Sequence, residues 1–114
     1  MASIVDLMKP EILSSEPGAC ELRFAVRPEF TIPSGSLQGG IVTTMLDMAM
    51  AIAGQGTLST ASLHIEILRA VTVSEVEVSG RITKQGRRIA FAEAEMRDVD
   101  GNLLARGTQT AVAN

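Results

Sequence analysis

Residues 41–53 are the segment that most restricts how this chain can fold. Ala, Met, Leu and Ile dominate the segment and proline is absent from it, which predicts a helix that the two following glycines end. Apolar residues lie on nearly every side of this helix, so the rest of the protein must wrap it. Its polar residues Thr43, Thr44 and Asp47 are spaced three and four apart and share one face. A single carboxylate therefore lies in a narrow polar stripe on an otherwise apolar helix.

Five other segments alternate apolar and polar residues, as half-buried strands do. They are residues 21–28, 61–68, 76–84, 88–98 and 103–112. Short turns at residues 84–87 and 100–102 join the last three, which predicts antiparallel pairing. Residues 2–8 would form a short helix that Pro10 stops. The expected fold class is α+β, with one long helix against one face of a five-stranded antiparallel sheet.

The overall composition limits the class of protein. The 114 residues suffice for one domain, residues 1–114, and the 46% of hydrophobic residues suffice for a core that is aliphatic, because only 3% are aromatic. A net charge of −3 argues against a nucleic-acid partner. The lone Cys20 cannot form an internal disulfide, and His64 is too distant from it in sequence for a zinc site. No signal peptide or membrane-spanning run is recognisable, which favours a cytoplasmic protein without a membrane partner.

Gly39 and Gly40 open the long helix, and their backbone N–H groups are candidates for binding a negative charge. The first N–H groups of a helix have no partner within it and lie at the positive end of its dipole, so they favour a negative charge such as an oxyanion. Asp47 lies two turns further along, roughly 12 Å along the axis. This distance is too long for both ends to act on one small group within one subunit. The spacing suggests a site shared between two chains, in which Asp47 of one approaches the glycines of the other.

Structural roles compete with this interpretation. An Asp in the middle of a helix is usually a solvated surface residue, and two glycines before a helix usually form a tight turn. The apolar neighbours of Asp47 predict burial, however, and an unpaired buried carboxylate costs several kcal/mol. The residues alone support a functional and a structural role for Asp47 equally, whereas a turn by itself explains Gly39 and Gly40 better.

The segment Leu37-Gln-Gly-Gly-Ile-Val-Thr-Thr-Met-Leu-Asp47 resembles the His-Gly-Gly…Asp helix signature of a known family. These are the hotdog-fold acyl-CoA thioesterases of the phenylacetic-acid-degradation type, similar to 4-hydroxybenzoyl-CoA thioesterase. Residues 60–70, 80–88 and 98–107 resemble the later strands of that family in the same order. The resemblance covers about residues 24–112.

The resemblance implies a hotdog fold, in which a five-stranded sheet wraps around one helix. It also implies homodimers joined edge to edge, often paired into tetramers, with two sites shared between subunits. Coenzyme A would enter as part of the substrate, with no metal or separate cofactor. Asp47 takes the place of the general base or nucleophile, and Gly39 that of the residue whose N–H polarises the thioester carbonyl. Thr60 takes the place of a Ser or Thr that helps to position the attacking water.

Two positions depart from the family pattern. Gln38 replaces the usual His, and its amide would either bond the substrate carbonyl or hold the loop. Ile32 occupies a position where many members carry Asn or Gln, so the polar role is lost or moves to Gln38. Arg87 and Arg88, near a turn, are candidates for binding the nucleotide phosphates of coenzyme A, although ordinary solvated charges are the stronger explanation.

Three functions are compatible with this sequence. The first, which we predict, is hydrolysis of a small or medium acyl-CoA, aliphatic or aryl, to the free acid and coenzyme A. The second is a non-catalytic module that binds acyl-CoA or an acyl carrier, which Ile32 favours. The third, a hotdog dehydratase, needs a catalytic His near the helix, and His64 lies on a different segment. The acyl group and the choice between dimer and tetramer stay open.

Overall fold

Six strands and two α-helices make up the fold of residues 2–114, the part of the chain that the computed structural model describes. In chain order the elements are α1 (Ile4–Met8), β1 (Glu11–Glu16), β2 (Ala19–Ala25), a 3-10 turn (Pro28–Phe30), α2 (Gly39–Ala53), β3 (Leu58–Ile67), β4 (Glu75–Gln85), β5 (Ile89–Arg97) and β6 (Leu103–Ala113). The long helix and the five strands of the sequence analysis are all present. The first helix is shorter than predicted, because Ser3 caps it and its backbone N–H and side chain engage Asp6.

The strands form one antiparallel sheet in the order β1-β2-β4-β5-β6-β3. The sheet therefore has six strands, and the predicted number of five is wrong. The missed strand is β1, which forms a hairpin with β2 through a turn at Gly18, whose φ of 91° favours glycine. Every residue of β1 is exposed, so the strand has no buried face and its sequence lacks the alternation that indicates one.

Helix α2 packs on one face of this sheet and fills the core with aliphatic and methionine side chains. Its residues Met45, Leu46 and Ala49 are fully buried. They pack with inward-facing residues of the neighbouring strands, among them Leu22, Phe24, Val76, Val78, Ala94 and Met96. The helix has 15 residues, and no helix within residues 2–114 is long and apolar enough to cross a membrane.

Helix and sheet approach each other closely at Gly80 of β4. A Cβ atom at this position would lie 2.4 Å from the carbonyl oxygen of Ala49 and 3.0 Å from its Cβ. Backbone at such a distance cannot be moved aside as a flexible side chain can. Gly80 and Ala49 therefore set how closely α2 lies over β4.

Substituting Gly80 with Ala should displace α2 and lower the free energy of unfolding by about 1–3 kcal/mol, the usual cost of overpacking. Urea denaturation measures the change. Ser79→Ala is the matched control, because Ser79 is the neighbour on β4 and faces the other side of the sheet. A Gly80→Ala protein that unfolds at the wild-type urea midpoint would contradict this close packing.

Strand β3 is the edge strand at the far side of the sheet, and α2 does not cover it fully. The register with β6 places Leu63, Ile65 and Ile67 on the helix side of the sheet, and His64 and Glu66 on the other, as their alternation predicts. Leu63 nevertheless remains 38% exposed and Ile67 47% exposed. This apolar face, beside an unpaired strand edge, is one of the surfaces that the single chain leaves open.

Candidate active site

The N-terminus of α2 forms one end of the site and is built by Gln38. The backbone of Gln38 is extended, and its side-chain Oε1 accepts a hydrogen bond of 2.9 Å from the N–H of Ile41. This cap starts the helix at Gly39, two residues before the predicted start. Of the two roles predicted for the Gln38 amide, the structure shows that of holding the local backbone, through Oε1.

The two glycines present free donors at this helix end. Among residues 2–114, no group accepts a hydrogen bond from the N–H of Gly39 or Gly40. A Cβ atom on Gly40 would lie 2.8 Å from Oε1 of Gln38, so glycine at this position keeps the cap intact. At Gly39 the nearest neighbour of such a Cβ is the Cδ1 atom of Ile67, at an ordinary 3.5 Å. Two backbone N–H groups are thus free at this helix end, beside the end of β3.

Asp47 lies on the side of α2 that faces β3, and it is half-buried. The prediction that its apolar neighbours bury it is therefore too strong, because Gly39, Thr43 and Asp47 share the side of the helix that the sheet leaves partly open. The other two polar residues of the stripe are used within the helix. The hydroxyls of Thr43 and Thr44 donate to the carbonyls four residues earlier, at 3.0 and 2.9 Å.

The carboxylate of Asp47 belongs to a three-residue hydrogen-bond cluster. Its Oδ1 atom accepts from the hydroxyl of Thr60 at 2.9 Å and from Nε2 of Gln109 at 3.3 Å. The same hydroxyl of Thr60 lies 3.2 Å from Oε1 of Gln109. Within residues 2–114, the Oδ2 atom of Asp47 accepts no hydrogen bond. One carboxylate oxygen is thus held and the other is available.

Three different elements deliver this cluster: α2 supplies Asp47, β3 supplies Thr60 and β6 supplies Gln109. The pairing of β3 with β6 shifts register between Thr60 and Ser62. This irregularity lets Thr60 and Leu63 both face the helix, which strict alternation would not allow. The hydroxyl of Thr60, predicted to position a water, is directed at the carboxylate itself.

Gln109 is the site residue that the sequence analysis missed. It is 7% exposed, and within residues 2–114 it is the one polar residue among the buried side chains. The signal was present in β6, whose helix-facing row reads Ala105, Gly107, Gln109, Ala111. A single amide in a row of small residues is unusual, because burying it costs free energy unless it is hydrogen-bonded.

Comparison with known proteins decides the family. Residues 34–105, more than half of the chain, match the family model of the Thioesterase superfamily. The chain belongs to the thioesterase superfamily. The matched region contains Gly39, Asp47 and Thr60, and ends before Gln109.

Individual relatives of this superfamily are similar along most of the chain. Acyl-coenzyme A thioesterase 13 of Homo sapiens is 26% identical over 111 residues, which cover 91% of this chain and 79% of the human protein. The structure of zebra fish thioesterase superfamily member 2 has a TM-score of 0.83 and 27% identity, covering 93% of this chain and 82% of that one. A variant of the phenylacetic acid degradation protein PaaI of Thermus thermophilus shares the fold, with a TM-score of 0.89 at 23% identity, covering 97% of this chain and 98% of that one.

In this member of the thioesterase superfamily, the turn between β4 and β5 presents Arg87 and Arg88. Both are exposed, and no carboxylate within residues 2–114 forms an ion pair with either. The turn lies beside the start of β3, because Leu58 pairs with Ala113 and the N–H of Ala113 donates to the carbonyl of Arg88. The two arginines are therefore at the Thr60 end of β3, and Gly39 of the same chain is at the other end.

Ile32 and His64, which the sequence analysis considered for the site, lie away from the Asp47 cluster. Ile32 is 42% exposed in the loop before α2, where a bridge between Thr31 and Leu37 holds the two sides of the loop together. His64 faces the side of the sheet opposite α2, so it is not placed for the chemistry of a dehydratase. No three His, Cys, Asp or Glu side chains of residues 2–114 are grouped in a way that could hold a metal ion.

The cap at Gln38 can be tested by its effect on stability. Gln38→Ala leaves the Ile41 N–H without its partner, and we expect it to lower the free energy of unfolding by about 1 kcal/mol. Gln38→Asn keeps an amide, one methylene closer to the backbone, and should recover part of this loss. Guanidinium denaturation of the three proteins measures both differences. Equal midpoints for the wild type and Gln38→Ala would show that the cap contributes nothing.

Proposed function

We propose that this protein is an acyl-CoA thioesterase that hydrolyses small or medium acyl-CoA substrates, aliphatic or aryl, to the free acid and coenzyme A. The observation that carries the proposal is the carboxylate of Asp47, whose Oδ1 is held by Thr60 and Gln109 while Oδ2 is open. Membership of the thioesterase superfamily and similarity to an acyl-coenzyme A thioesterase support the choice of substrate class.

The reaction requires two groups of different kinds at one thioester. Oδ2 of Asp47 would take a proton from a water molecule, whose oxygen then forms a bond to the carbonyl carbon. The free N–H at Gly39 would stabilise the oxyanion of the tetrahedral intermediate. The C–S bond breaks as the intermediate collapses, and coenzyme A leaves as a thiolate that takes up the proton. Direct attack by Asp47, giving a mixed anhydride that water hydrolyses, uses the same groups.

These two groups meet only if two copies of the chain associate. Along α2, Asp47 and Gly39 are roughly 12 Å apart. Strand β3 has an unpaired edge, along which a second β3 can add. Antiparallel pairing about a two-fold axis brings the Thr60 end of one strand beside the Ile67 end of the other. Because Ile67 adjoins Gly39, each Asp47 would then approach Gly39 of the partner subunit.

The same pairing explains two other surface features. The exposed apolar face at Leu63 and Ile67 would be covered by the partner subunit. Arg87 and Arg88, at the Thr60 end, would lie near the partner's helix N-terminus, where two cations without ion-pair partners suit the phosphates of coenzyme A. A homodimer is thus the smallest active unit in this proposal, and two dimers can pair further.

A second candidate function is a binding module for acyl-CoA or an acyl carrier that performs no hydrolysis. The observation that favours it is Ile32, whose exposed side chain cannot hydrogen-bond where many family members carry an amide. Such a module would still bind through the helix N-terminus, but it would not release the thiol.

Asp47→Asn keeps the shape of the side chain and removes its basicity. We expect kcat/KM for acyl-CoA to fall by about 10²–10⁴-fold, the usual contribution of a general base. Thiol release, followed with a panel of straight-chain and aryl acyl-CoA substrates, gives the measurement. Asp100→Asn, in the exposed turn between β5 and β6, is the matched control and should leave kcat/KM unchanged.

Two results would count against hydrolysis at this site. Wild-type turnover by the Asp47→Asn protein would end the proposed mechanism. A wild-type protein that binds acyl-CoA but releases no thiol would favour the binding module instead.

Association through β3 can be tested by measuring the oligomeric state directly. Leu63→Lys places like charges in the proposed interface, and we expect the dimer dissociation constant to rise about tenfold or more, with a parallel loss of activity. Ile12→Lys is the matched control, because Ile12 is an exposed apolar residue on β1, the opposite edge strand. Analytical ultracentrifugation over a range of protein concentrations measures both. A wild type that stays monomeric while hydrolysing acyl-CoA would refute the shared site.

A further inference from the structure

We infer that Gln109 is the positioning residue of the active site: it holds Oδ1 of Asp47 and thereby makes Oδ2 the oxygen that acts on water or on the thioester. The inference rests on the proposed hydrolysis and extends it to a residue outside the region that matches the family model. Gln109 does not reach the reacting atoms itself; it acts through Asp47.

The hydroxyl of Thr60 cannot by itself hold Oδ1 of Asp47 permanently. The hydroxyl of Thr60 has one proton but lies within hydrogen-bond distance of two acceptors, Oδ1 of Asp47 at 2.9 Å and Oε1 of Gln109 at 3.2 Å. It can serve only one of them at a time, and it can rotate from one to the other. The amide N–H of Gln109 has no such alternative, so Gln109 is the donor that stays on Asp47 when the hydroxyl turns away.

The amide of Gln109 has one favourable direction beside the carboxylate. With Nε2 toward the carboxylate, Gln109 donates to Asp47 and offers Oε1 to the hydroxyl of Thr60. The flipped amide would set Oε1 against a carboxylate oxygen, which is repulsive. A charged Asp47 therefore fixes one orientation of Gln109, and that orientation in turn fixes the rotation of the carboxylate.

Gln109 is a buried residue among apolar neighbours. Its neighbours on the helix-facing side of β6 are Gly107 and Ala111, and the register pairs it with Leu63 on β3 and Ala92 on β5. An apolar side chain would suit these surroundings, and an amide without partners would be costly there. Both side-chain hydrogen bonds that Gln109 makes go to Asp47 and Thr60. Its polarity therefore serves the carboxylate and not the sheet.

The test uses two substitutions that keep the length of the side chain. Gln109→Met removes the donor but fills the same space, and we expect its melting temperature to equal or exceed that of the wild type. Its KM for acyl-CoA should stay within about twofold while kcat falls by about tenfold to a hundredfold, as expected when a reacting group loses its alignment. A residue needed only for packing would show neither the fall in kcat nor the split from KM.

Gln109→Glu tests the donor through the direction of the pH dependence: a carboxyl group that was merely close to Asp47 would raise kcat, and not lower it, as the shared proton is lost. Two carboxyl groups in contact share one proton at moderate pH, so this variant retains a donor toward Asp47 until that proton is lost. We expect the pH profile of kcat to gain an alkaline limb that both the wild type and Gln109→Met lack. This measurement also decides the matter if the methionine variant folds poorly.

The outcomes separate this inference from the function it rests on. Full kcat in Gln109→Met and no new limb in Gln109→Glu, together with an inactive Asp47→Asn, would overturn the positioning role and leave the hydrolysis standing. A wild type that releases no coenzyme A would overturn both.

Discussion

The rest of the structure depends on the close packing of α2 against β4 at Gly80. With no side chain between the strand and the carbonyl of Ala49, the helix is fixed over the middle of the sheet. A helix held there cannot also cover β3 at the edge, so one side of α2 and the apolar face of β3 stay partly open. The packing that stabilises the core thus also leaves one side of α2 and the apolar face of β3 accessible to a ligand or to another subunit.

That open side of α2 has polar groups available for chemistry at two separate positions. At the N-terminus, the cap by Gln38 leaves the amides of two glycines free. Two turns later, Thr60 and Gln109 hold the carboxylate of Asp47. A helix is rigid over this length, so neither point can move to the other within one chain. In the proposed dimer, association therefore has two effects at once: it covers apolar surface and it brings the two points together.

The sequence predicted those parts of the fold that depend on local patterns. Residues 41–53 revealed the wrapped helix because they are apolar all round, and β4, β5 and β6 alternate between short turns. The sequence does not reveal strand β1, because both of its faces are exposed. Without a buried face, a strand does not need to alternate apolar and polar residues. Membership of the thioesterase superfamily, expected from the segment around Asp47, is confirmed. Parts of the site depend instead on distances between elements, which a single sequence does not contain. Gln109 follows Asp47 by 62 positions, and only the order of the strands and the register of β6 bring it to the carboxylate.

The helix cap gives a physical reason for Gln38, which stands where the resemblance predicts a histidine. A glutamine amide has two ends, and here Oε1 holds the first turn of α2 while Nε2 donates to no group of residues 2–114. The loop that carries Ile32 leads directly to this end, since the N–H of Gln38 donates to the carbonyl of Phe30. In the proposed site, the exposed Nε2 is a side-chain donor beside the amides of Gly39 and Gly40, at the end where Ile32 provides none. One side chain would then both start the helix and supply the polarity that isoleucine lacks, because one end of its amide accepts a hydrogen bond and the other end donates.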